Sequence, residues 1–209
     1  MKNLILILVM TCLSMDMTSG QPAGIFTRSG DIGNPAIKGS SLYDPSDQSY
    51  TLKGSGYNIW FARDEFHFLY NEMKGDFIMT ANFRFKTDGG DPHRKTGWML
   101  RAAESGDSPH ISAVLHGDGL TLMQWRDFPG AEMKDPEDQI TAKGSGYEII
   151  QIERAGKIIY MRAAIPGKPF EEIGSYEMAN LPDEVLAGLF VCSHNPEATE
   201  EAMAWNVRI

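Results

Sequence analysis

The stretch GWMLRAAESGDSPHISAVLHGDGLTLMQWR, residues 97–126, contains three strand-like runs separated by turns. One set of alternating positions along these runs is largely apolar, which is the period of a β-strand that buries one face. The other set is rich in hydrogen-bonding side chains and contains neither lysine nor glutamate, the usual residues of a solvated sheet face. We therefore predict a groove on the concave sheet of a β-sandwich, lined by Met99, Arg101, His110, Ser112, His116, Gln124 and Arg126.

The turn at Gly117-Asp118-Gly119 predicts how two of these runs pair. In a tight hairpin centred near Asp118, residues whose numbers sum to about 236 lie opposite each other. Ser112 then faces Gln124, and His110 faces Arg126, with Cβ atoms ~5 Å apart. One ligand could touch all four side chains. We expect Arg126→Ala or His110→Ala to weaken binding and to leave the fold nearly intact.

Short strand-like runs recur along the rest of the chain, separated by glycine, proline, asparagine and aspartate. Apolar and polar residues alternate strictly over residues 76–85, and Ala155-Gly156-Lys157 has the composition of a second tight hairpin. Many short strands with turns between them are typical of sandwiches and barrels. We predict one all-β sandwich domain of two antiparallel sheets over residues 48–209, preceded by an extended leader at residues 21–47.

The N-terminus has the pattern of a secretory signal peptide over residues 1–20. Lys2 precedes the apolar run Leu4–Met10, and small residues precede Gln21. The apolar run is too short to span a bilayer. These features predict a secreted or periplasmic protein, and the alternative is a lipid anchor at Cys12.

Charge and cysteine content narrow the classes of partner. Nineteen basic and 28 acidic residues give a formal net charge of -9. An acidic protein lacks the basic patch that nucleic acid requires, and it is disfavoured at an anionic membrane surface.

Removal of a signal peptide would leave Cys192 alone, so we predict no internal disulfide and a buried, unreactive side chain at this position.

Paired carboxylates of the glycosidase type are not evident in the sequence. The nearest candidates are Glu148 and Glu153, in the string EIIQIE. Residues five positions apart on a strand face opposite sides of the sheet. They cannot flank one glycosidic bond at the ~5–9 Å that paired carboxylates need.

Metal binding also has little support in the sequence. His110 and His116 share one face of a strand, but their Cα atoms would be ~20 Å apart. No CxxC or HExxH pattern is present. We therefore predict neither a metal site nor a cofactor. The alternative is a structural calcium ion in the loops that contain Asp88, Asp91 and Asp118, where the turn-forming role of aspartate is the simpler reading.

The order of residues from Tyr43 onward resembles a family of bacterial secreted proteins with a concanavalin A-like jelly-roll sandwich, the lectin/glucanase type. Members of this family often precede a TolB-type propeller. The resemblance implies an association with carbohydrate. It is carried by YDPSDQSYTLKGSGYNIWFARDEFHFLY (43–70), KGDFIMTANFRF (74–85), DPHRKTGWMLR (91–101), SPHISAVLHGDGL (108–120), QWR (124–126), GLFVCSHNP (188–196) and WNVRI (205–209).

Together these observations predict a non-catalytic module that binds an oligo- or polysaccharide. Trp98 and Trp125 fall on the face opposite the polar row, which predicts that they belong to the core, whereas an aromatic rim could come from Trp60, Phe66, Phe68 and Tyr70. One alternative is a hydrolase that acts on glycosides or keto-sugars with His110 or His116 as general base. Another is a scaffold domain that binds a protein segment. The predicted ligand-binding residues are Arg101, His110, Ser112, His116, Gln124 and Arg126.

Overall fold

The computed structural model describes residues 23–209, and this part of the chain consists of strands, turns and loops without an α-helix. It therefore offers no helical segment with the length and hydropathy of a membrane span. The predicted signal peptide and Cys12 lie outside the described residues. The strands are β1 (Arg28–Ile32), β2 (Ser40–Asp44), β3 (Ser49–Gly56), β4 (Ile59–Trp60), β5 (Arg63–Asp64), β6 (Phe66–Lys74), β7 (Phe77–Phe85), β8 (Lys95–Arg101), β9 (His110–His116), β10 (Thr121–Arg126), β11 (Gln139–Thr141), β12 (Ile149–Ala155), β13 (Ile158–Ala164), β14 (Glu171–Glu177), β15 (Glu184–Cys192) and β16 (Asn195–Arg208).

Two seven-stranded sheets form the sandwich. The front sheet has the order β1-β6-β15-β8-β9-β10-β11, and the back sheet has the order β14-β13-β12-β7-β16-β3-β2. The paired strands are antiparallel in both sheets. The predicted all-β sandwich is confirmed. Strands β1 and β2 lie within the predicted leader, and they form one edge of the front sheet and one edge of the back sheet.

The main core lies between the two sheets. In β7, alternation buries Met79 and Phe83, while Ile78 on the other face of the strand is 48% exposed. The front sheet contributes Trp98 and Trp125, both buried as predicted. The indole Nε1 of Trp98 donates a hydrogen bond to the backbone carbonyl of Ile150 at 3.1 Å. This bond links the sheets and satisfies a buried donor.

The register of the front sheet confirms the hairpin at residues 117–119. Ser112 pairs with Gln124 and His110 pairs with Arg126. On the other side of β9, Arg101 pairs with His110. The polar side chains of three neighbouring strands therefore share one face, which points away from the back sheet.

A second apolar cluster lies on this outer face of the front sheet. Residues 57–65, which contain the β4–β5 hairpin, pack over the cluster, and we refer to this segment as the roof. A second core on the outer side of one sheet means that the chain folds back over its own polar row. The buried members of the cluster are Ile32, Ile59, Phe66, Phe68, Tyr70, Met99, Val114, Leu122, Phe190 and Cys192.

Two glycines allow the roof to lie close to the rest of the chain. A Cβ atom at Gly33 would lie 1.8 Å from the carbonyl oxygen of Asp64, and one at Gly56 would lie 1.9 Å from that of Glu65. Both glycines have positive φ angles, 73° and 128°, which residues with a side chain rarely adopt. The return of the chain at residues 64–65 therefore requires glycine at both positions.

The single cysteine of the described residues, Cys192, is fully buried at the end of β15. Burial raises the pKa of its thiol to about 11. The structure confirms the prediction that this side chain is buried. Since the thiol stays protonated at neutral pH, it is a weak nucleophile.

Candidate functional site

The six side chains predicted to bind a ligand share the outer face of the front sheet, but they do not line an open groove. The roof covers most of this face. All six are buried: Arg101, His110 and Ser112 have no exposed surface, Arg126 and Gln124 are each 1% exposed, and His116 is 6% exposed. The expectation of an accessible row is therefore corrected, because the sequence did not reveal that residues 57–65 pass over this face.

The roof is held by a buried cluster of charged side chains around Asp64. Arg126 donates to both carboxylate oxygens of Asp64, from Nη2 to Oδ1 at 2.7 Å and from Nη1 to Oδ2 at 2.8 Å. Arg101 adds a contact from Nη1 to Oδ2 at 3.3 Å. Burial raises the pKa of Asp64, and the two guanidinium groups oppose this effect. Both guanidinium groups stay protonated at neutral pH, so each contact with the Asp64 carboxyl oxygens is a charge-assisted hydrogen bond.

The remaining guanidinium donors bind backbone carbonyls of the loops that surround the roof. Arg126 Nη2 donates to the carbonyl of Phe61 at 3.0 Å, and Arg126 Nε donates to that of Ala131 at 3.1 Å. Arg101 donates to the carbonyls of Ala103 and Ser105 at 2.7 and 2.6 Å. Both arginines are therefore structural groups that join loops, and the expectation that Arg126→Ala leaves the fold nearly intact is corrected.

His110 belongs to the same buried cluster. Its Nε2 lies 3.8 Å from Oδ1 of Asp64, and neither ring nitrogen has a hydrogen-bond partner. Burial and the neighbouring guanidiniums of Arg126 and Arg101 hold the pKa of His110 well below its usual range. The imidazole is neutral and sealed from solvent, so it cannot act as a general base on a bound ligand.

The outer face is open at one end, where a pocket of about 420 Å³ lies between the roof, the 135–139 loop and the turns at residues 93 and 194. We refer to it as the histidine pocket. Of the six predicted residues, it includes His116 and Gln124. Its lining comprises Asn58, Trp60, His93, Lys95, His116, Leu120, Leu122, Gln124, Asp135, Gln139 and His194.

Three imidazole rings cluster on one wall of this pocket. The ring centroids of His93 and His116 are 5.8 Å apart, and those of His93 and His194 are 5.4 Å apart. His194 Nδ1 lies 3.2 Å from Oδ1 of Asp91. The backbone of His194 has φ = 59°, a left-handed conformation that is uncommon for a residue with a side chain. The turn between β15 and β16 thus aims this ring at the pocket.

His116 is the most deeply placed of the three rings. It is 6% exposed, and neither of its ring nitrogens has a hydrogen-bond partner within the protein. Burial lowers the pKa of His116 to about 3, with a further contribution from the positive charge of Lys95. The ring is therefore neutral at physiological pH, and its one donor and one acceptor are both buried without a partner.

Lys95 lies beside His116 on the neighbouring strand, where the two residues are cross-strand partners. It is only 4% exposed. Its Nζ donates to Oδ1 of Asn58 at 2.8 Å and to the backbone carbonyl of His93 at 3.1 Å. Burial lowers the pKa of Lys95.

The opposite side of the pocket has amide side chains and an indole. Gln124 Nε2 donates to the carbonyl of Ile59 at 2.7 Å, which fixes this side chain against the roof. Gln139 Nε2 donates to Oδ1 of Asp135 at 2.6 Å. Trp60 adds an aromatic surface. The other aromatic residues considered for the rim, Phe66, Phe68 and Tyr70, are buried in the second cluster.

The acidic residues weighed for catalysis or metal binding lie in other settings. Glu153 forms an ion pair with Arg162 at 2.6 Å on the back sheet. Asp91 and Asp118 accept hydrogen bonds from backbone N–H groups two residues onward, at 2.7 and 3.0 Å, as turn-forming aspartates do. Within residues 23–209, no group of three or more His, Cys, Asp or Glu side chains is arranged to hold a metal ion.

Sequence reasoning missed the two residues that define this face. The strand pattern does not single out Asp64 among the acids of the chain, and Lys95 precedes the predicted polar row, which begins at Met99. The sequence does indicate that an anion is needed here. Arg101 and Arg126 both pair with His110, and two neighbouring guanidinium groups require a negative charge when they are buried. The pattern gave no signal for the histidine cluster, because His93 and His194 lie in turns distant in sequence.

Comparisons with known proteins give fold relatives and no sequence relatives. No family model and no curated protein matches the sequence. A functionally unknown protein from Saccharomyces cerevisiae matches with a TM-score of 0.59 and 15% identity, over 84% of this chain and 97% of that one. Lectin I-B4 from Griffonia simplicifolia, in its metal-free form, matches with a TM-score of 0.51 and 10% identity, over 82% and 92% of the two chains. Alginate lyase A1-II′ matches with a TM-score of 0.51 and 12% identity, over 81% and 80%.

At these identities the likeness concerns the fold alone. The protein has the concanavalin A-like jelly-roll sandwich shared by this lectin and this lyase, which confirms the predicted fold class. Bacterial origin and an association with a TolB-type propeller stay predictions.

Proposed function

We propose that the protein binds carbohydrate in the histidine pocket. The observation that carries the proposal is the composition of the pocket, which combines the aromatic surface of Trp60 with hydrogen-bonding side chains that include Asn58, Gln124 and Gln139. Sugar hydroxyls need both donors and acceptors, and the C–H face of a sugar ring packs on an aromatic side chain. The volume of about 420 Å³ lies within the range of ~300–1,000 Å³ typical of small-molecule sites.

His116 supplies the strongest single argument. A buried polar side chain normally has a partner, and an unpartnered one costs about 1–3 kcal/mol. Both ring nitrogens of His116 lack a partner within the protein. A sugar hydroxyl that met either nitrogen would supply the missing partner, and this requires the ring to turn toward the pocket because both nitrogens are buried.

The predicted set of ligand-binding residues is revised accordingly. We assign ligand contact to His116 and Gln124, with Trp60, Asn58 and Gln139 beside them. The other four predicted residues act on the site indirectly, because Arg101 and Arg126 hold the roof that forms one side of the pocket. The fold relatives include a lectin and an alginate lyase, and this supports a carbohydrate ligand.

Hydrolysis by a pair of carboxylates has less support than binding. Among the residues that line the pocket, Asp135 is the one acid, and it is already hydrogen-bonded to Gln139. Retaining and inverting glycosidases both use two carboxyl groups that flank the scissile bond. A protein-binding scaffold is also less well supported, because a pocket of about 420 Å³ has the size of a small-molecule site.

A glycan array followed by calorimetry tests the proposal. We expect the wild-type protein to bind a subset of oligosaccharides. Trp60→Ala should weaken binding to the best ligand at least about ten-fold, or about 1.4 kcal/mol. Trp205→Ala is the matched control, because Trp205 lies on the back sheet, where it stacks with Arg84. Equal affinity of Trp60→Ala and the wild type would exclude the histidine pocket as the site.

A further inference from the structure

Lys95 is a buried cation without a carboxylate partner. Lysine is almost never fully buried unless it is paired with an acid. The lysines of residues 23–209 that form ion pairs are Lys53, Lys74 and Lys86, and all three are partly exposed. Lys95 instead donates to a neutral amide oxygen and to a backbone carbonyl. Its third N–H has no acceptor within the described part of the chain.

The charged and titratable groups around Lys95 come from four elements. Burial lowers the pKa of Lys95, and the carboxylates of Asp91 and Asp118 oppose this effect only in part. Its cross-strand partner on β15, Cys192, is a protonated thiol at neutral pH, because burial raises the pKa of that thiol to about 11. The groups that face Lys95 are Asp91, His93, His116, Asp118, Cys192 and His194.

This setting favours the neutral amine, and the neutral amine is a nucleophile. Desolvation is one of the ways in which a protein activates a lysine for attack on carbonyl compounds. Lys95 also has access to a substrate, since it lines the histidine pocket. The neutral ring of His116 is the cross-strand neighbour of Lys95 at the same end of the pocket.

We propose that Lys95 forms a reversible imine with the open-chain aldehyde of a reducing sugar. This inference rests on the proposed function, because it assigns the reducing end of the carbohydrate to the same pocket. An aldehyde carbon is the electrophile in this chemistry, and the polar wall that includes Gln124 and Gln139 recognises the hydroxyls of the sugar.

The chemistry balances without an oxidant or a reductant. The Nζ lone pair attacks the aldehyde carbon to form a C–N bond, and the C=O π electrons move to oxygen. A first proton moves from nitrogen to that oxygen and gives the carbinolamine. A second proton moves from nitrogen to the hydroxyl as the C–O bond breaks, so that water leaves and a neutral C=N bond remains. Addition of water reverses the sequence and releases the sugar.

Reductive trapping on the wild-type protein tests the inference without a variant that could fail to fold. The protein is incubated with D-glyceraldehyde and sodium cyanoborohydride, which reduces the imine to a stable amine, and peptide mass spectrometry measures the rate at each lysine. Lys74 is the reference, because its side chain is 70% exposed. We expect Lys95 to react faster than Lys74 at pH 7, because burial lowers the pKa of Lys95 and a lower pKa leaves more free amine.

Propanal is the matched probe, because it has the same carbon chain without the hydroxyls. We expect the ratio of Lys95 to Lys74 labelling to be higher with glyceraldehyde than with propanal. A Lys95 rate no higher than that of Lys74 would overturn the inference, and so would equal ratios with the two probes. If Lys95 is unreactive while the wild type still binds glycans on the array, the imine is excluded and the proposed binding function stands.

Discussion

Arg126 donates two hydrogen bonds to the carboxylate of Asp64, a residue 62 positions earlier in the chain, at 2.7 and 2.8 Å. Both side chains are fully buried. The pair joins the end of β10 to the roof, and Arg101 adds a second guanidinium to the same carboxylate. This contact closes the middle of the outer face and leaves the pocket at one end.

Loss of Arg126 should destabilise the fold. We expect Arg126→Ala to lower the free energy of unfolding by about 3–5 kcal/mol, because removal of one partner leaves the other charge buried without compensation. Urea unfolding followed by tryptophan fluorescence measures the change. The control is Arg84→Ala on the exposed face of the back sheet, which should change stability by no more than about 0.5 kcal/mol. A loss below 1 kcal/mol for Arg126→Ala would mean that the roof does not depend on this pair.

Stability should fall as the pH falls below about 6.5. The pKa of His116 is about 3 in the folded protein, while an unfolded histidine titrates near 6.5. Between these values the unfolded chain binds more protons than the folded protein, so the free energy of unfolding rises with pH. Each histidine of this kind contributes a slope of up to about 1.4 kcal/mol per pH unit, and the pKa of His110 is depressed in the same direction.

The His116→Gln variant isolates this contribution. Melts or urea titrations at pH 4, 5 and 6 should show a shallower loss of stability in the variant than in the wild type. Identical slopes for the two proteins would contradict a neutral, buried His116.

Cys192 should not react with thiol reagents in the folded protein. Burial raises its pKa to about 11 and removes it from solvent. We expect 5,5′-dithiobis(2-nitrobenzoate) to label the native protein slowly and the urea-unfolded protein at once. Rapid labelling of the native state would show that the end of β15 opens readily.

Purified protein should not hydrolyse β-glucans or aryl glycosides by a two-carboxylate mechanism. Glu153 is paired with Arg162 on the back sheet, away from the pocket. Assays for released reducing sugar should give no signal above a blank. Activity that disappears in Glu148→Gln or Glu153→Gln would refute the prediction that these two acids cannot act on one glycosidic bond.

Export remains a prediction from the sequence. Mass spectrometry of the protein recovered from the medium or periplasm should give an N-terminus near Gln21 and no disulfide. A diacylglycerol group on Cys12 at the mature terminus would support the lipid-anchored alternative.

The sequence by itself determined the sheet architecture and the local register. Alternation in residues 76–85 and 97–126 assigned the inward faces, including those of Trp98 and Trp125, because side-chain direction along a strand has a period of two. The turn at residues 117–119 fixed the pairing of His110 with Arg126, because a tight hairpin leaves little freedom in register.

Only the tertiary structure decided which part of the polar face is open. The roof reaches Arg101 and Arg126 through Asp64, a contact between residues far apart in the chain that no local period encodes. The histidine pocket arises in the same way, since His93 and His194 come from separate turns and meet His116 only in the folded protein. Strand alternation tells which side chains share a face, whereas the solvent exposure of that face depends on where the rest of the chain packs.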